Sequence, residues 1–196
     1  MKAMIIAVAV LVVFGVSSWA QSPEAKKAAE LMEQHYGAFG KTTDEILSHE
    51  NATNRALVLG ALVWRINQKS EARGEGSLTD TERKLSAVSL LEAEVANGGF
   101  DQYFTNSAGN DAEVALAGLN AMGATGKAAI MERAMAVFPG GKPPAERSKR
   151  QKVMQQIEEK SESVWEKCDN EYYKLKDIFD VALAYAKKKK AEIILP

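Results

Sequence analysis

The apolar residues of this chain recur at helical spacing over most of its length, and this constrains the fold most. Leu85, Val88, Leu91 and Val95 follow one another at intervals of three or four residues, which places them on one face of a helix. Runs of alternating β-branched residues are absent, while the helix formers Ala, Leu, Glu, Lys and Met dominate. The sequence therefore predicts an all-α fold.

Residues 1–20 have the pattern of a secretory signal peptide. Lys2 precedes the apolar run 4–13, which is shorter than the ~20 apolar residues that a membrane-spanning helix needs. The small residues Ser18 and Ala20 occupy the −3 and −1 positions of a cleavage site. We therefore predict cleavage after Ala20, a periplasmic or secreted location and no stable membrane anchoring; an uncleaved N-terminal anchor is the alternative. Residues 21–196 are then predicted to form a single helical domain.

Charge and cysteine content narrow the classes of function. Without Lys2, the chain from residue 21 onward carries 24 basic and 26 acidic residues. This near balance argues against a nucleic-acid-binding protein, which usually presents a strongly basic face. The single cysteine, Cys168, lies on the apolar stripe of a final helix that we predict over Ser163–Lys189, so we expect a buried thiol. The sequence contains no metal-binding or cofactor-binding motif, and we expect neither group.

Two local signals predict where the central helices begin and end. Thr79 and Glu82 have the spacing of a capping box, in which a hydroxyl and a carboxylate satisfy backbone N–H groups at a helix start. The adjacent Gly98 and Gly99 permit the left-handed backbone that ends a helix. A tight corner is predicted at 123–126, between two further helices.

The segment 97–110 is the most distinctive part of the chain, since it combines three aromatic residues, several amide and hydroxyl side chains and three glycines. Such a mixture suits a surface that recognises a protein, peptide or glycan. The alternative is that these residues only cap helices and fill the core. Gln102 and Tyr103 are least explained by capping, so we predict that both make surface contacts. The candidate binding residues are Asn97, Asp101, Gln102, Tyr103, Asn106 and Ser107.

An enzymatic alternative rests on two carboxylates. Asp101 and Glu94 are brought together if the chain folds back at the glycines, and they could then act as the acid and base of a periplasmic hydrolase. No histidine accompanies them nearby, and solvated helix ends explain both residues. We therefore expect a binding module rather than an enzyme, with a protein as its partner.

The string from Leu90 to Gly109, with Asn-Gly-Gly-Phe at 97–100, Asn-Ser at 106–107 and Gly109, resembles the signature of a bacterial family of unknown function. That family is known chiefly through a DNA-mimic protein. The Gly-Ala corner at 123–124 and the Glu-Tyr-Tyr at 171–173 are similar to later parts of its pattern, so the resemblance covers about residues 61–191. It implies an all-helical domain, with no established activity or cofactor.

The resemblance also raises the possibility of a DNA-mimic-type regulator of a DNA-binding protein. DNA mimicry requires carboxylates spread over one face with little opposing charge, because the partner's groove is basic. Here acidic and basic residues are matched, and the run Lys187–Lys190 adds a positive end. We therefore place this role behind a general protein-binding function.

Overall fold

The computed structural model describes residues 23–195, and within that range every regular element is helical. The predicted all-α fold is confirmed. The predicted signal peptide, residues 1–20, lies outside the described residues, and none of the described helices is long and apolar enough to cross a membrane. The α-helices are α1 (Pro23–Tyr36), α2 (Thr43–Ser48), α3 (Arg55–Arg73), α4 (Asp80–Thr105), α5 (Ala112–Ala121), α6 (Thr125–Met135), α7 (Arg147–Tyr172) and α8 (Phe179–Lys188).

Contacts along the chain divide it into two compact units. The described part of the first, here called the terminal unit, comprises residues 23–86 and 178–195. The second, the central unit, comprises residues 87–177, so the division falls within α4. A single domain over residues 21–196 stays a prediction.

The terminal unit joins the start of α4 to the C-terminal segment of the chain. The predicted capping box is confirmed, because Glu82 N–H donates to Thr79 Oγ1 at 3.2 Å and Thr79 N–H donates to Glu82 Oε2 at 2.8 Å. The same Glu82 carboxylate receives Lys69 Nζ at 2.7 Å and the backbone N–H of Ile194 at 2.7 Å. One fully buried carboxylate therefore caps α4 and also binds the C-terminal segment. Its hydrogen bonds and the Lys69 ion pair offset the cost of burying its charge.

The run of lysines at the end of α8 is largely paired within this unit. Lys187 lies 2.9 Å from Glu50, Lys189 lies 2.8 Å from Glu192, and Lys190 lies 2.6 Å from Asp44. The run is therefore not an isolated positive patch.

The central unit is built around a cluster of aromatic rings. Phe104 packs against Phe138 and Trp165 with ring centroids 4.9 and 5.3 Å apart, and Phe100 packs edge-on against Tyr172 at 5.5 Å. Offset and edge-to-face pairs of this kind contribute about 0.5–1.5 kcal/mol each beyond their buried area. The helix that carries Phe100 and Phe104 is thereby fixed against α7.

The prediction of one final helix over Ser163–Lys189 is wrong in its bounds. α7 begins at Arg147 and ends at Tyr172, and a separate α8 begins at Phe179. The expected burial of Cys168 is confirmed, because it lies with Trp165 and Tyr172 on a buried face of α7. Leu175 lies between the two helices and is 40% exposed. The intervening residues contain neither glycine nor proline, so tertiary packing, which buries Ile178, overrides their helical propensity.

Candidate binding site at the kinked helix

The two glycines interrupt α4 where the sequence predicts a helix end. Gly98 and Gly99 have non-helical backbone angles, and a second helical segment runs from there to Thr105. Gly99 has φ of +72°, a left-handed conformation that side-chain-bearing residues rarely adopt. The chain thus turns sharply and restarts as a helix, which leaves the first N–H groups of the second segment in need of acceptors.

Asp169 of α7 supplies one such acceptor. Its Oδ1 receives the backbone N–H of Phe100 at 2.9 Å, as a helix cap provided by a residue distant in sequence. A Cβ atom on Gly99 would lie 2.2 Å from Asp169 Oδ2, so glycine is required there for close approach as well as for its conformation. Burial raises the pKa of the Asp169 carboxyl, and the nearby charge of Asp101 raises it further, while the Phe100 N–H opposes the shift.

Arg150 holds the other end of the same segment. Its side chain is fully buried, and its Nε donates to the carbonyl oxygen of Phe104 at 2.6 Å. Nη2 donates to Asn106 O at 2.7 Å and to Asn110 Oδ1 at 3.0 Å. Nη1 donates to the carbonyl oxygens of residues 144 and 145 at 2.7 and 3.0 Å. All five N–H donors of the guanidinium are therefore used, each on a neutral acceptor.

The Arg150 guanidinium lies at the C-terminal end of the second α4 segment, where the local electrostatic potential favours a positive charge. The last carbonyls of a helix have no partners within it and carry partial negative charge, which a buried cation complements. Arg147 adds to this arrangement by donating to Thr105 O at 2.9 Å. A Cβ atom on Gly109 would lie 2.9 Å from Arg150 Nε and 2.8 Å from Tyr103 O, so Gly109 provides the space that the guanidinium occupies. Burial lowers the pKa of Arg150.

Glu94 organises two of the predicted binding residues from inside the fold. Its carboxylate is buried, and Oε2 receives Gln102 Nε2 at 2.6 Å and Asn106 Nδ2 at 3.0 Å. Both amides are half-buried and face inward to this carboxylate. Gln102 and Asn106 therefore connect the two segments of α4 across the kink, which is chiefly a structural role.

Tyr103 was predicted to make a surface contact, and this prediction is wrong. Its side chain is fully buried, and its ring packs edge-on against Phe104 at 5.1 Å. Tyr103 lies three residues after Phe100 and one before Phe104, and all three rings belong to the buried side of this short segment. Burial raises the pKa of its phenol, and the negative charge of Asp111 raises it further, so the hydroxyl stays protonated.

The remaining predicted residues occupy different positions around the kink. Asn97 and Asp101 are exposed, whereas Ser107 is half-buried at the start of the short 3₁₀ helix Ser107–Asp111. The two carboxylates of the hydrolase hypothesis have different environments: Glu94 is bonded to amides inside the unit, and Asp101 is on the surface. Among residues 23–195, no group of three or more His, Cys, Asp or Glu side chains is placed to hold a metal ion.

A groove of about 310 Å³ lies between the second segment of α4 and α7. Asp101 and Glu158 are exposed carboxylates on its walls, and Met154 adds half-buried apolar surface. Gln151 is fixed in it, because its Nε2 donates to Thr105 O at 3.0 Å. The groove thus combines negative charge, amide groups and an apolar floor; its lining residues are Asp101, Thr105, Gln151, Met154, Gln155, Glu158, Ser161 and Trp165.

Sequence reasoning missed Arg150 and Asp169, which fix the two ends of the second α4 segment. Arg150 has the appearance of one member of a basic surface cluster with its neighbours at 147, 149 and 152. Its signal was its spacing, because it lies eleven residues before the buried Ser161 and fifteen before Trp165, on the same face of a helix. Asp169 gave no comparable signal, since its partner is a backbone group 69 residues away.

The family comparison matches the part of the chain that contains this arrangement. A family model described as "DMP19-like protein" matches residues 76–189, which is more than half of the 196 residues and includes the kink, Arg150 and Asp169. No curated protein and no solved structure matches the chain significantly. The predicted resemblance to a family that includes a DNA mimic is confirmed, and the chain belongs to the DMP19-like protein family.

Proposed function

We propose that this protein is an exported binding module that recognises a protein partner through the groove between α4 and α7. The observation that carries the proposal is the composition of the groove, in which the exposed carboxylates Asp101 and Glu158 flank the apolar side chain of Met154. A partner segment that presents a Lys or Arg next to an apolar residue complements this surface in charge and in polarity.

The surrounding charge supports a basic partner segment. Residues 87–177 contain fourteen acidic and eleven basic side chains; the acidic Glu94 and the basic Lys127 and Arg150 are buried, which leaves thirteen acidic and nine basic side chains. The exposed surface of the central unit is therefore moderately acidic. Such a field favours encounter with a basic segment, and its effect falls as salt is added.

The partner-binding test compares two double variants in affinity capture from an extract of the source organism. Asp101→Asn with Glu158→Gln removes the groove charges, and Glu113→Gln with Glu132→Gln removes two exposed charges of the same unit outside the groove. A partner retained by the second variant and lost from the first supports the proposal. Equal recovery by both folded variants contradicts it.

Family membership supports a second candidate, a DNA-mimic-type regulator. Its partner would be a DNA-binding protein, and duplex DNA would compete for the same basic surface. The captured partner can therefore be challenged with duplex DNA at fixed ionic strength. Release by DNA favours mimicry; retention favours recognition of a segment by the groove.

Export is a separate part of the proposal and rests on the pattern of residues 1–20. Expression in a bacterium followed by fractionation and N-terminal sequencing tests it. We expect a periplasmic or secreted protein that begins at Gln21. A chain that keeps Met1 in the cytoplasmic fraction contradicts export.

A further inference from the structure

The terminal unit contains a pocket that the proposed function does not use. It has a volume of about 620 Å³ and is lined by Lys41, Arg65, Gln68, Glu71 and Ala72. Positions 65, 68 and 72 of α3 are three and four residues apart and so share one helix face. Lys41 belongs to the turn that precedes α2. Two cations from different parts of the chain therefore meet at one depression.

Arg65 is the most constrained residue of this pocket. It is 93% buried, its Nε donates to Gly40 O at 3.2 Å, and its Nη1 donates to Gln68 Oε1 at 2.9 Å. Its guanidinium carbon lies 4.3 Å from the ring centroid of Trp64, within the range of a cation–π contact. Two sides and one face of the guanidinium are thus fixed before any ligand binds.

The third side of the guanidinium lacks a hydrogen bond. Arg65 Nη2 has no hydrogen-bond partner, and the carboxylate at ion-pair range, Glu33 Oε1, is 3.6 Å away. That distance is too long for a hydrogen bond, and the Glu33 side chain is 55% exposed. A buried donor left in this state is unfavourable. The exposed Glu33 carboxylate is not hydrogen-bonded to Arg65, so a ligand can replace it without breaking a hydrogen bond to Arg65.

We propose that this pocket binds a small ligand with a carboxylate or phosphate group, which replaces Glu33 at Arg65 Nη2 and contacts the Lys41 ammonium. An oxyanion matches the planar guanidinium and gives the unused donor a short charged hydrogen bond. Glu71 also lines the pocket, but it is exposed, so solvent screens its charge more than that of the buried Arg65. Desolvation raises the pKa of the Glu71 carboxyl.

The test is an NMR titration of residues 21–196 with inorganic phosphate and, separately, with acetate. Chloride is exchanged to keep the ionic strength constant, so that screening does not change. We expect saturable shifts of the Arg65 Nε–H signal and of the backbone amide of Lys41, with millimolar dissociation constants. Saturation by phosphate alone or by acetate alone identifies the oxyanion, and both support the site. Shifts that are linear, or that are spread over unrelated amides, contradict it.

Matched variants separate a ligand site from a structural arginine. Lys41→Met should raise the dissociation constant about fivefold, the equivalent of losing one exposed charge contact. Lys188→Met removes an exposed lysine of the same unit outside the pocket and should change it less than twofold. Equal effects of the two variants contradict the proposal.

The variant Glu33→Gln gives the sharpest result, because it removes the carboxylate that competes with the ligand. We expect affinity to rise about threefold to fivefold, whereas Glu30→Gln, an equal charge change one turn earlier in α1, should leave it nearly unchanged. A purely structural Arg65 predicts that neither variant changes affinity. Failure of this test does not affect the α4–α7 groove, since none of the variants lies in the central unit.

Discussion

Substitution of Arg150 tests directly whether its hydrogen bonds stabilise the fold of the segment around residues 104–110. Its guanidinium donates five hydrogen bonds to neutral acceptors, and the side chain is fully buried. Lysine keeps the charge but has only three N–H donors, so Arg150→Lys leaves at least two acceptors without a charged donor. Methionine removes all five donors and leaves a side chain of similar length.

The expected cost follows from these numbers. A hydrogen bond to a charged group contributes about 1.5–3 kcal/mol, so losing two costs roughly 3–6 kcal/mol before any rehydration. The acceptors at Ala145 and Asn110 belong to exposed residues and regain water, whereas the Phe104 carbonyl belongs to a fully buried residue. We therefore expect Arg150→Lys to lower the free energy of unfolding by about 3 kcal/mol and Arg150→Met by more. Small domains have only about 5–15 kcal/mol in total.

Guanidinium chloride unfolding of residues 21–196 measures this cost. The variants are made in a Trp64→Phe background, so that Trp165, which lies in the central unit, is the only tryptophan and reports on that unit alone. Lys152→Met, an exposed change on the same helix, is the matched control and should stay within about 0.5 kcal/mol of the parent. If Arg150→Lys lowers the free energy of unfolding by less than about 1 kcal/mol, the hydrogen bonds of Arg150 do not stabilise this region as expected.

Three further predictions concern the same region. Gly99→Ala should destabilise the protein by about 2–3 kcal/mol, because it combines a left-handed φ with a clash against a cap. Gly98→Ala should cost less, since its φ is extended and the clashing atom is the end of a flexible side chain; denaturant midpoints of the two variants compare them. Burial raises the pKa of Asp169, so its ionisation costs stability as the pH rises through that raised value. The free energy of unfolding should therefore fall as the pH rises above 3.8, the ordinary pKa of an Asp carboxyl, and Asp169→Asn should remove this fall, as measured by urea unfolding at several pH values. Asp169→Ala should lose about 1 kcal/mol of capping. Burial also raises the pKa of the Cys168 thiol, so iodoacetamide at pH 8 should alkylate the folded chain far more slowly than the unfolded chain, as counted by mass spectrometry.

The sequence predicted those features that depend on local signals. The capping box of Thr79 and Glu82, the break at Gly98 and Gly99 and the buried position of Cys168 each follow from spacing or from backbone preference. Periodicity alone was enough to predict the all-α class, because few other folds tolerate such long runs of helical spacing.

The candidate site was harder to predict because its partners are distant in the chain. Asp169 caps a helix start that lies 69 residues earlier, and Arg150 binds carbonyls about 45 residues before it. Every residue has a backbone carbonyl, so the residue types at 104–106 do not indicate that a buried arginine binds there. Tyr103 shows the same limit: a polar aromatic in an amide-rich segment looks like a contact residue until the covering helix is placed.

Within the family signature, the residues that stabilise the fold differ from the exposed residues that are available to bind a partner. Asn106, Gly109 and Gln102 serve Arg150 or Glu94 inside the fold, so substitutions there should impair folding before they impair binding. Loss of activity in such a variant would consequently say little about which surface a partner touches. The side chains of the exposed groove residues Asp101 and Glu158 make no hydrogen bond to Arg150 or Glu94, so substitutions at these two positions should leave the fold intact. If the groove is the recognition surface, members of one family can take different partners on one scaffold, and exchange of groove residues alone should transfer partner choice.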